Sequence, residues 1–321
     1  MPPSPAAAAA TLVAQILAGD RAALARAITL VESRRPDDQE TAYEALRRLM
    51  PEVGRGRRIG VSGPPGVGKS TLIDAWGLEL IRRGRRVAVL AVDPSSSLSG
   101  GSILGDKSRM SRLAREESAF IRPSPSDLEL GGVARRTREA MFLCEAAGFD
   151  HVLVETMGVG QSEIRVAGMV DAFVVLIQPG AGDELQGIKK GILELADVLA
   201  VAKADGPYEA PAREAAAEYS AALRYLGTEA EILTLSAMTG DGIGRLADLV
   251  DARLAAAANA GTLEARRATD GRRWITELAE EILLREWRAQ AGDRGQLGAL
   301  VSATLSGELD AGQAARRLLG R

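Results

Sequence analysis

The sequence has one cysteine and one histidine in 321 residues, and that scarcity sets the first limits. Cys144 alone can form no intrachain disulfide, which suits a reducing compartment. Its neighbours Met141, Phe142 and Leu143, in a helical run from Arg138 to Ala147, predict that it packs as a small apolar residue. With His151 the only imidazole, a site for nickel or another transition metal lacks its donors. His151 opens an apolar strand run and reads as a surface or hydrogen-bonded residue, not as a ligand or a general base. Net charge is equally scarce: 40 Lys and Arg against 43 Asp and Glu leave −3. The arginine pairs at 34-35, 57-58, 82-83, 135-136, 266-267 and 316-317 are dispersed among acids, as on solvated helix faces, so nucleic acid is not an expected partner. No apolar run approaches the roughly 18 residues of a membrane span. The alanine-rich start, Ala6 to Ala10, has no basic residue before it and reads as a disordered tip entering a helix, not as a signal sequence. A cytoplasmic protein is expected.

What is present is a phosphate loop. Gly63, Pro64, Pro65, Gly66, Val67, Gly68, Lys69, Ser70 and Thr71 form G-x4-G-K-S, preceded by the β-branched run Ile59 to Val61 and followed by a helical pattern of Leu72, Ile73, Trp76 and Leu80. The strand-loop-helix context gives the motif its meaning. Glycines let consecutive backbone N–H groups approach a polyphosphate. Lys69 adds a charge for the β- and γ-phosphates, Ser70 offers a hydroxyl to Mg²⁺, and the helix N-terminus adds its partial positive charge.

The rest of the chain fits an α/β fold of the P-loop NTPase class, a mostly parallel sheet sandwiched by helices, with an N-terminal helical extension and a C-terminal helical arm. Residues 1–56 carry three helical stretches, with Asp20 expected to cap the second and Asp37 or Asp38 the third, which Pro51 stops. Residues 57–254 alternate helices with apolar runs at Ile59–Val61, Val87–Val92, Phe120–Ile121, His151–Val154, Phe173–Ile177, Val198–Ala202 and Ile232–Leu235. Runs this continuous suit strands covered on both faces, and right-handed crossovers bring their carboxyl ends to one edge. Residues 255–321 are Ala- and Arg-rich helix. There Trp274, Leu278, Ile282, Leu283 and Trp287 make an apolar stripe, packed either on the main domain or, the preferred reading, in a homodimer contact.

Three strand tips carry further chemistry. After Val87–Val92 come Asp93-Pro94-Ser95-Ser96-Ser97 and a small, polar stretch to Gly105-Asp106-Lys107, so Asp93 and Asp106 are candidate Mg²⁺ carboxylates. After His151–Val154 come Glu155-Thr156-Met157-Gly158, an acid three residues before a glycine, which places Glu155 to reach the Mg²⁺ shell. Val159 follows Gly158 where Ras-like proteins have a water-orienting glutamine, and Gln161 is displaced by two, so slow intrinsic hydrolysis is expected. After Val198–Val201, Ala202-Lys203-Ala204-Asp205 has the x-K-x-D form in which Asp205 takes two hydrogen bonds from guanine and the Lys203 stem lies along the base. GTPases usually have Asn where Ala202 stands. Its absence removes a base contact and a brace to the phosphate loop, about 1–2 kcal/mol if nothing compensates. Ser236-Ala237-Met238 supplies the S-A-x backbone over the base.

With these residues in place, the chain resembles the MeaB/ArgK family of P-loop GTPases, chaperones of adenosylcobalamin-dependent methylmalonyl-CoA mutase. The resemblance spans about residues 10 to 290 and is most specific in AVDPSSS, GGSILGDKSRM, FIRPSPS, LVETMGVGQSE and PGAGDELQGIKKG. It implies GTP and GDP as ligands and Mg²⁺ as cofactor. It also implies metal and nucleotide roles for Ser70, Asp93, Asp106 and Glu155, and a switch at Gln178 to Lys190 whose Lys189 moves towards the nucleotide when the mutase binds. A homodimer through the C-terminal arm follows from it too, with GTP hydrolysis gating delivery of intact cofactor and removal of damaged cofactor. The departures are Ala202 for Asn, Met157 for Val, and Asp127-Leu128-Glu129-Leu130 before Gly131-Gly132. Alternatives are a nickel-delivery GTPase, poor in ligands here, a kinase or ATPase linked to amino-acid transport, for which no acceptor site is legible, and a non-catalytic nucleotide-gated scaffold.

Overall fold

The seven apolar runs fold as seven parallel strands: β1 (Arg57–Ser62), β2 (Val87–Asp93), β3 (Ala119–Pro125), β4 (His151–Thr156), β5 (Ala172–Ile177), β6 (Val198–Val201) and β7 (Glu231–Thr234). A computed structural model of the chain describes residues 4–33, 35–93, 110–125, 132–156, 161–179, 190–228, 230–290 and 294–320. The helices among them are α1 (Pro5–Leu17), α2 (Arg21–Glu32), α3 (Pro36–Leu49), α4 (Lys69–Arg82), α5 (Gly132–Ala146), α6 (Gln161–Ala167), α7 (Lys190–Leu195), α8 (Glu209–Leu226), α9 (Ile243–Asn259), α10 (Thr262–Gln290), α11 (Arg294–Leu305) and α12 (Ala311–Leu318). Two compact units divide the chain, Met1–Gly271 and Arg272–Arg321.

Strand order is β3-β2-β4-β1-β5-β6-β7. The strands therefore spread in both directions from β1, and the loop leaving its carboxyl end lies where such sheets hold ligands. Burial on both faces follows from the side-chain alternation. Ile59, Val61, Val89, Leu153, Val174 and Ala200 pack with Trp76 of α4 and Leu246 and Val250 of α9. Their alternates, among them Leu90, Val152, Val154, Phe173 and Leu199, are buried as well, and α5, α6, α7 and α8 pack on the strands.

The amino edge of the sheet is held by carboxylates. The aspartates immediately before β4, β5 and β6 each accept a backbone N–H from the neighbouring strand or the residue leading into it. Asp150 takes Arg86 N at 2.7 Å, Asp171 takes Arg58 N at 2.8 Å, and Asp197 takes Phe173 N at 2.8 Å. Arginines from α9 and α10 close over two of them: Arg253 and Arg266 reach Asp197, and Arg267 grips Asp171 through two bonds of 2.7 and 2.6 Å. Glu145, its side chain fully buried, pairs with Arg58 at 2.5 Å and accepts Gly54 N at 2.7 Å. An arginine pair read from sequence as solvated surface, 266-267, is thus part of the scaffold, because the strand-edge N–H groups need acceptors and those acceptors need counter-charges.

Several local expectations are corrected. The Ala6–Ala10 run is helical: Ser4 caps α1, and Ala9, Leu12 and Ile16 are buried. Asp20 does cap α2, accepting from Ala22 and Ala23 N. Neither Asp37 nor Asp38 caps α3. The helix begins at Pro36, whose fixed φ and missing N–H suit the first position, and both aspartates fall inside the first turn, where the helix dipole favours them. Of the two readings of His151, the hydrogen-bonded one holds: its side chain is buried, with Nε2 3.5 Å from Asp251 Oδ1, and Nδ1 has no hydrogen-bond partner among the described residues. Cys144 is buried as expected, and burial pushes its thiol far above the ordinary range, where it is unreactive.

In the second unit the end of the chain forms two helices, α11 and α12. Asp310 starts α12 with a capping box to Gln313, and Leu300, Val301, Ala311 and Leu318 line an apolar groove within this unit.

Candidate functional site

β1 hands the chain to the loop at Ser62, and the loop's glycines are required for two different reasons. Gly63 has φ +145°, and a Cβ there would sit 2.5 Å from the carbonyl oxygen of Leu176 on β5, so close backbone approach excludes any side chain. Gly68, by contrast, faces open space. It is the N-cap of α4 at φ +106°, a conformation side chains rarely adopt. Sequence reasoning attributed all the loop glycines to ligand approach, whereas Gly63 answers to its own sheet.

Gly68 gives α4 no side-chain cap, so the first-turn amides of Lys69, Ser70 and Thr71 stay available to an external acceptor. The Lys69 ammonium is buried and folds back over the loop, donating to Gly63 O at 2.7 Å and Pro64 O at 3.0 Å. Val67 is buried in the core and its N–H closes a turn to Pro64 O, while Pro65 and Gly66 are exposed.

The acidic tip of β4 meets this loop. Ser70 Oγ donates to Glu155 Oε1 at 2.8 Å, and Glu155 is buried. The pairing of Val61 with Glu155 in the sheet fixes that approach, and one residue further Thr156 Oγ1 donates to Ser62 Oγ at 2.9 Å. A hydroxyl and a carboxylate side by side are hard oxygen donors. They fit Mg²⁺, which takes one or two protein oxygens and completes its shell with water and phosphate. Among the described residues no group of three or more His, Cys, Asp or Glu gathers as a metal cage.

The residues expected to face the base come from β5, β6 and the loop after β7. Lys203 is the one non-glycine among the described residues with positive φ, +58°, a conformation costing about 1–2 kcal/mol. That backbone sends its Nζ to Gly66 O at 2.9 Å and to Gln178 Oε1 at 3.0 Å. Ala204 N donates to Leu235 O at 3.0 Å, tying the K-x-D loop to Ser236-Ala237-Met238. Ser236 is fully buried and its Oγ accepts from Met238 N and Thr239 N, both at 3.2 Å, which shapes that loop. Asp205 is half-buried and Met238 exposed.

Of the other residues singled out, Asp93 ends β2, while Asp106 and Lys189 lie outside the described residues, as do Met157 to Gly160 and Gly180 to Lys189. The sequence assigns Thr156 no role and places Gln178 only at the start of the switch stretch, with no contact of its own. The signal for each was position alone: one residue past the acid at a strand tip, and the first residue past β5.

Comparison with known proteins points the same way as this geometry. The family model described as "Methylmalonyl Co-A mutase-associated GTPase MeaB" matches residues 24–292. A probable GTPase of Mycobacterium tuberculosis is 50% identical over 313 residues, 96% of this chain and 93% of its own length. GTPase ArgK of Escherichia coli is 48% identical over 272 residues, 83% of this chain and 82% of its own. The mouse methylmalonic aciduria type A homolog, mitochondrial, is 45% identical over 95% of this chain and 77% of its own. A crystal structure described as a LAO/AO transport system kinase superposes with TM-score 0.76 at 38% identity, covering 97% of this chain and 96% of that one. A P-loop at the switch point of a parallel sheet, an acid at the tip of β4 and a K-x-D strand end, matched by family and relatives over most of its length, place the chain in the MeaB family of GTPases.

Proposed function

We propose that this GTPase binds GTP with Mg²⁺ in the loop Gly63–Thr71, hydrolyses it, and uses the cycle to chaperone an adenosylcobalamin-dependent methylmalonyl-CoA mutase, gating cofactor delivery and removal of damaged cofactor. The observation that carries the nucleotide reading is the Ser70–Glu155 contact beside the buried Lys69. In this reading the loop amides and Lys69 hold the phosphates, and Ser70 and Glu155, with Asp93 and Asp106, supply oxygens for the metal. Bound Mg²⁺ would neutralise phosphate charge. Asp205 selects guanine, Lys203 lies along the base, and Ser236, Ala237 and Met238 cover it. Lys189 is proposed to complete the site when the mutase is engaged.

The mutase assignment draws on the family description and on the mouse relative. Two measurements test the reading. Lys69→Ala is expected to abolish nucleotide binding in calorimetry while leaving the fold intact; near-normal affinity would overturn the site. Single-turnover GTP hydrolysis is expected to accelerate when an adenosylcobalamin-dependent methylmalonyl-CoA mutase is added, and the absence of both acceleration and a complex would overturn the chaperone role. The kinase reading is favoured only by the description of one similar structure, and ATP competing equally with GTP would revive it.

The C-terminal arm, residues 255–321, is proposed to form a homodimer. Ile275 (66% exposed), Leu283 (64%) and Leu284 (51%) leave apolar surface on α10, and a monomer mass in sedimentation equilibrium would overturn that part.

A further inference from the structure

Position 202 lacks the side chain that x-K-x-D sites ordinarily use as a brace, and Ala202 is 4% exposed, its methyl part of the core. β5 and β6 run in parallel register with Ile177 opposite Val201, and Ala202 N continues the ladder to Ile177 O at 2.8 Å. The next residue on the β5 side is Gln178, which is exposed. Its Oε1 accepts from Lys203 Nζ at 3.0 Å, and the same ammonium donates to Gly66 O at 2.9 Å. An ammonium has only donors, so the group facing it must be the amide oxygen. Gln178, Lys203 and Gly66 thus form one continuous bridge from the tip of β5, through the base-reading loop, to the phosphate loop.

We propose that Gln178 is a positioning residue that replaces, from the neighbouring strand, the brace missing at Ala202. Its oxygen holds Lys203 extended across Gly66 and so keeps the K-x-D loop and the phosphate loop at the spacing a guanine nucleotide requires. The left-handed backbone at Lys203 is the reason a brace is needed: a residue held in a costly conformation is retained only where its surroundings fix it. This inference rests on the guanine-nucleotide reading of the site.

The test is GDP affinity by calorimetry across a small set of variants. Gln178→Leu removes the acceptor and is expected to weaken GDP binding about five- to tenfold, the equivalent of one net hydrogen bond. Gln178→Glu keeps an oxygen for Lys203 and is expected to stay within about twofold of the parent. Ala202→Asn is expected to restore the Gln178→Leu variant while changing the parent by less than about twofold, a non-additivity that a merely structural loss of Gln178 would not produce. Melting of the nucleotide-free Gln178→Leu and Gln178→Glu variants should coincide with that of the parent, since Gln178 is exposed. Gln178→Leu binding like the parent, or Ala202→Asn improving both backgrounds by the same factor, would overturn the proposal. A parent chain that binds no GDP would instead remove the nucleotide reading itself.

Discussion

The hydroxyl of Ser70 donates to Oε1 of Glu155 at 2.8 Å, joining the first turn of α4 to the tip of β4. If the pair serves a metal, its two members should fail in metal-dependent ways. Ser70→Ala is expected to weaken GDP binding at least about tenfold in Mg²⁺, the loss of an interaction with a charged group, and to leave binding in EDTA nearly unchanged. Glu155→Gln, which keeps an acceptor for Ser70 but loses the charge, is expected to behave alike. Equal losses with and without Mg²⁺ would show the pair to be scaffold.

Arg267 binds Asp171 through two nitrogens and donates also to Gly54 O at 2.6 Å and Gly56 O at 2.8 Å. Asp171 is almost fully buried and already holds Arg58 N. Arg267→Ala therefore leaves a buried carboxylate without its counter-charge and is expected to cost about 3 kcal/mol or more. The double variant Arg267→Met with Asp171→Asn should recover much of that, since the charge and its counter-charge leave together. Urea unfolding measures both, and a loss under about 0.5 kcal/mol in the single variant would mark the pair as ornamental.

All seven strands and the phosphate loop were legible because apolar runs and glycine spacing are local signals. Five strands are longer than their apolar runs, β3 most of all, where only Phe120–Ile121 stands out of a strand spanning Ala119–Pro125, while the runs at β6 and β7 extend one residue past the strand ends. Strand order was not legible, and with it went the contacts that order creates. Ser62 with Thr156 and Lys203 with Gln178 each join residues far apart in the chain. The aspartates before β4, β5 and β6 were equally opaque: Asp150, Asp171 and Asp197 look like ordinary loop acids until the neighbouring strand's N–H is known to lie beside them. Pro36 shows a smaller failure, since two aspartates after a proline invite a cap assignment that the proline itself pre-empts.

His151 gives the fold a pH dependence whose sign can be worked out. Burial is the largest influence and lowers its pKa below the ordinary value; Asp251 opposes this, Arg57 reinforces it, and Asp150 opposes it more weakly. Arg57 forms an ion pair with the same Asp251, which leaves that carboxylate less able to support a second cation. The unfolded chain therefore takes up a proton near the ordinary histidine pKa while the folded chain does not. The stabilisation is fully present above that value and is lost as pH falls from it towards the depressed folded pKa. One such group contributes a slope of at most about 1.4 kcal/mol per pH unit. His151→Gln, which cannot titrate, is expected to flatten the fall in urea midpoint between about pH 7 and pH 5, even if it lowers stability at pH 7. A parent-like slope in that variant would mean that His151 is protonated with equal ease in both states, and that other groups carry the acid sensitivity. Glu79, held down to about 2 chiefly by Arg82 and further by Arg83, loses its contribution only at lower pH, below the ordinary carboxylate range and down through about 2, so the two effects separate on the pH axis.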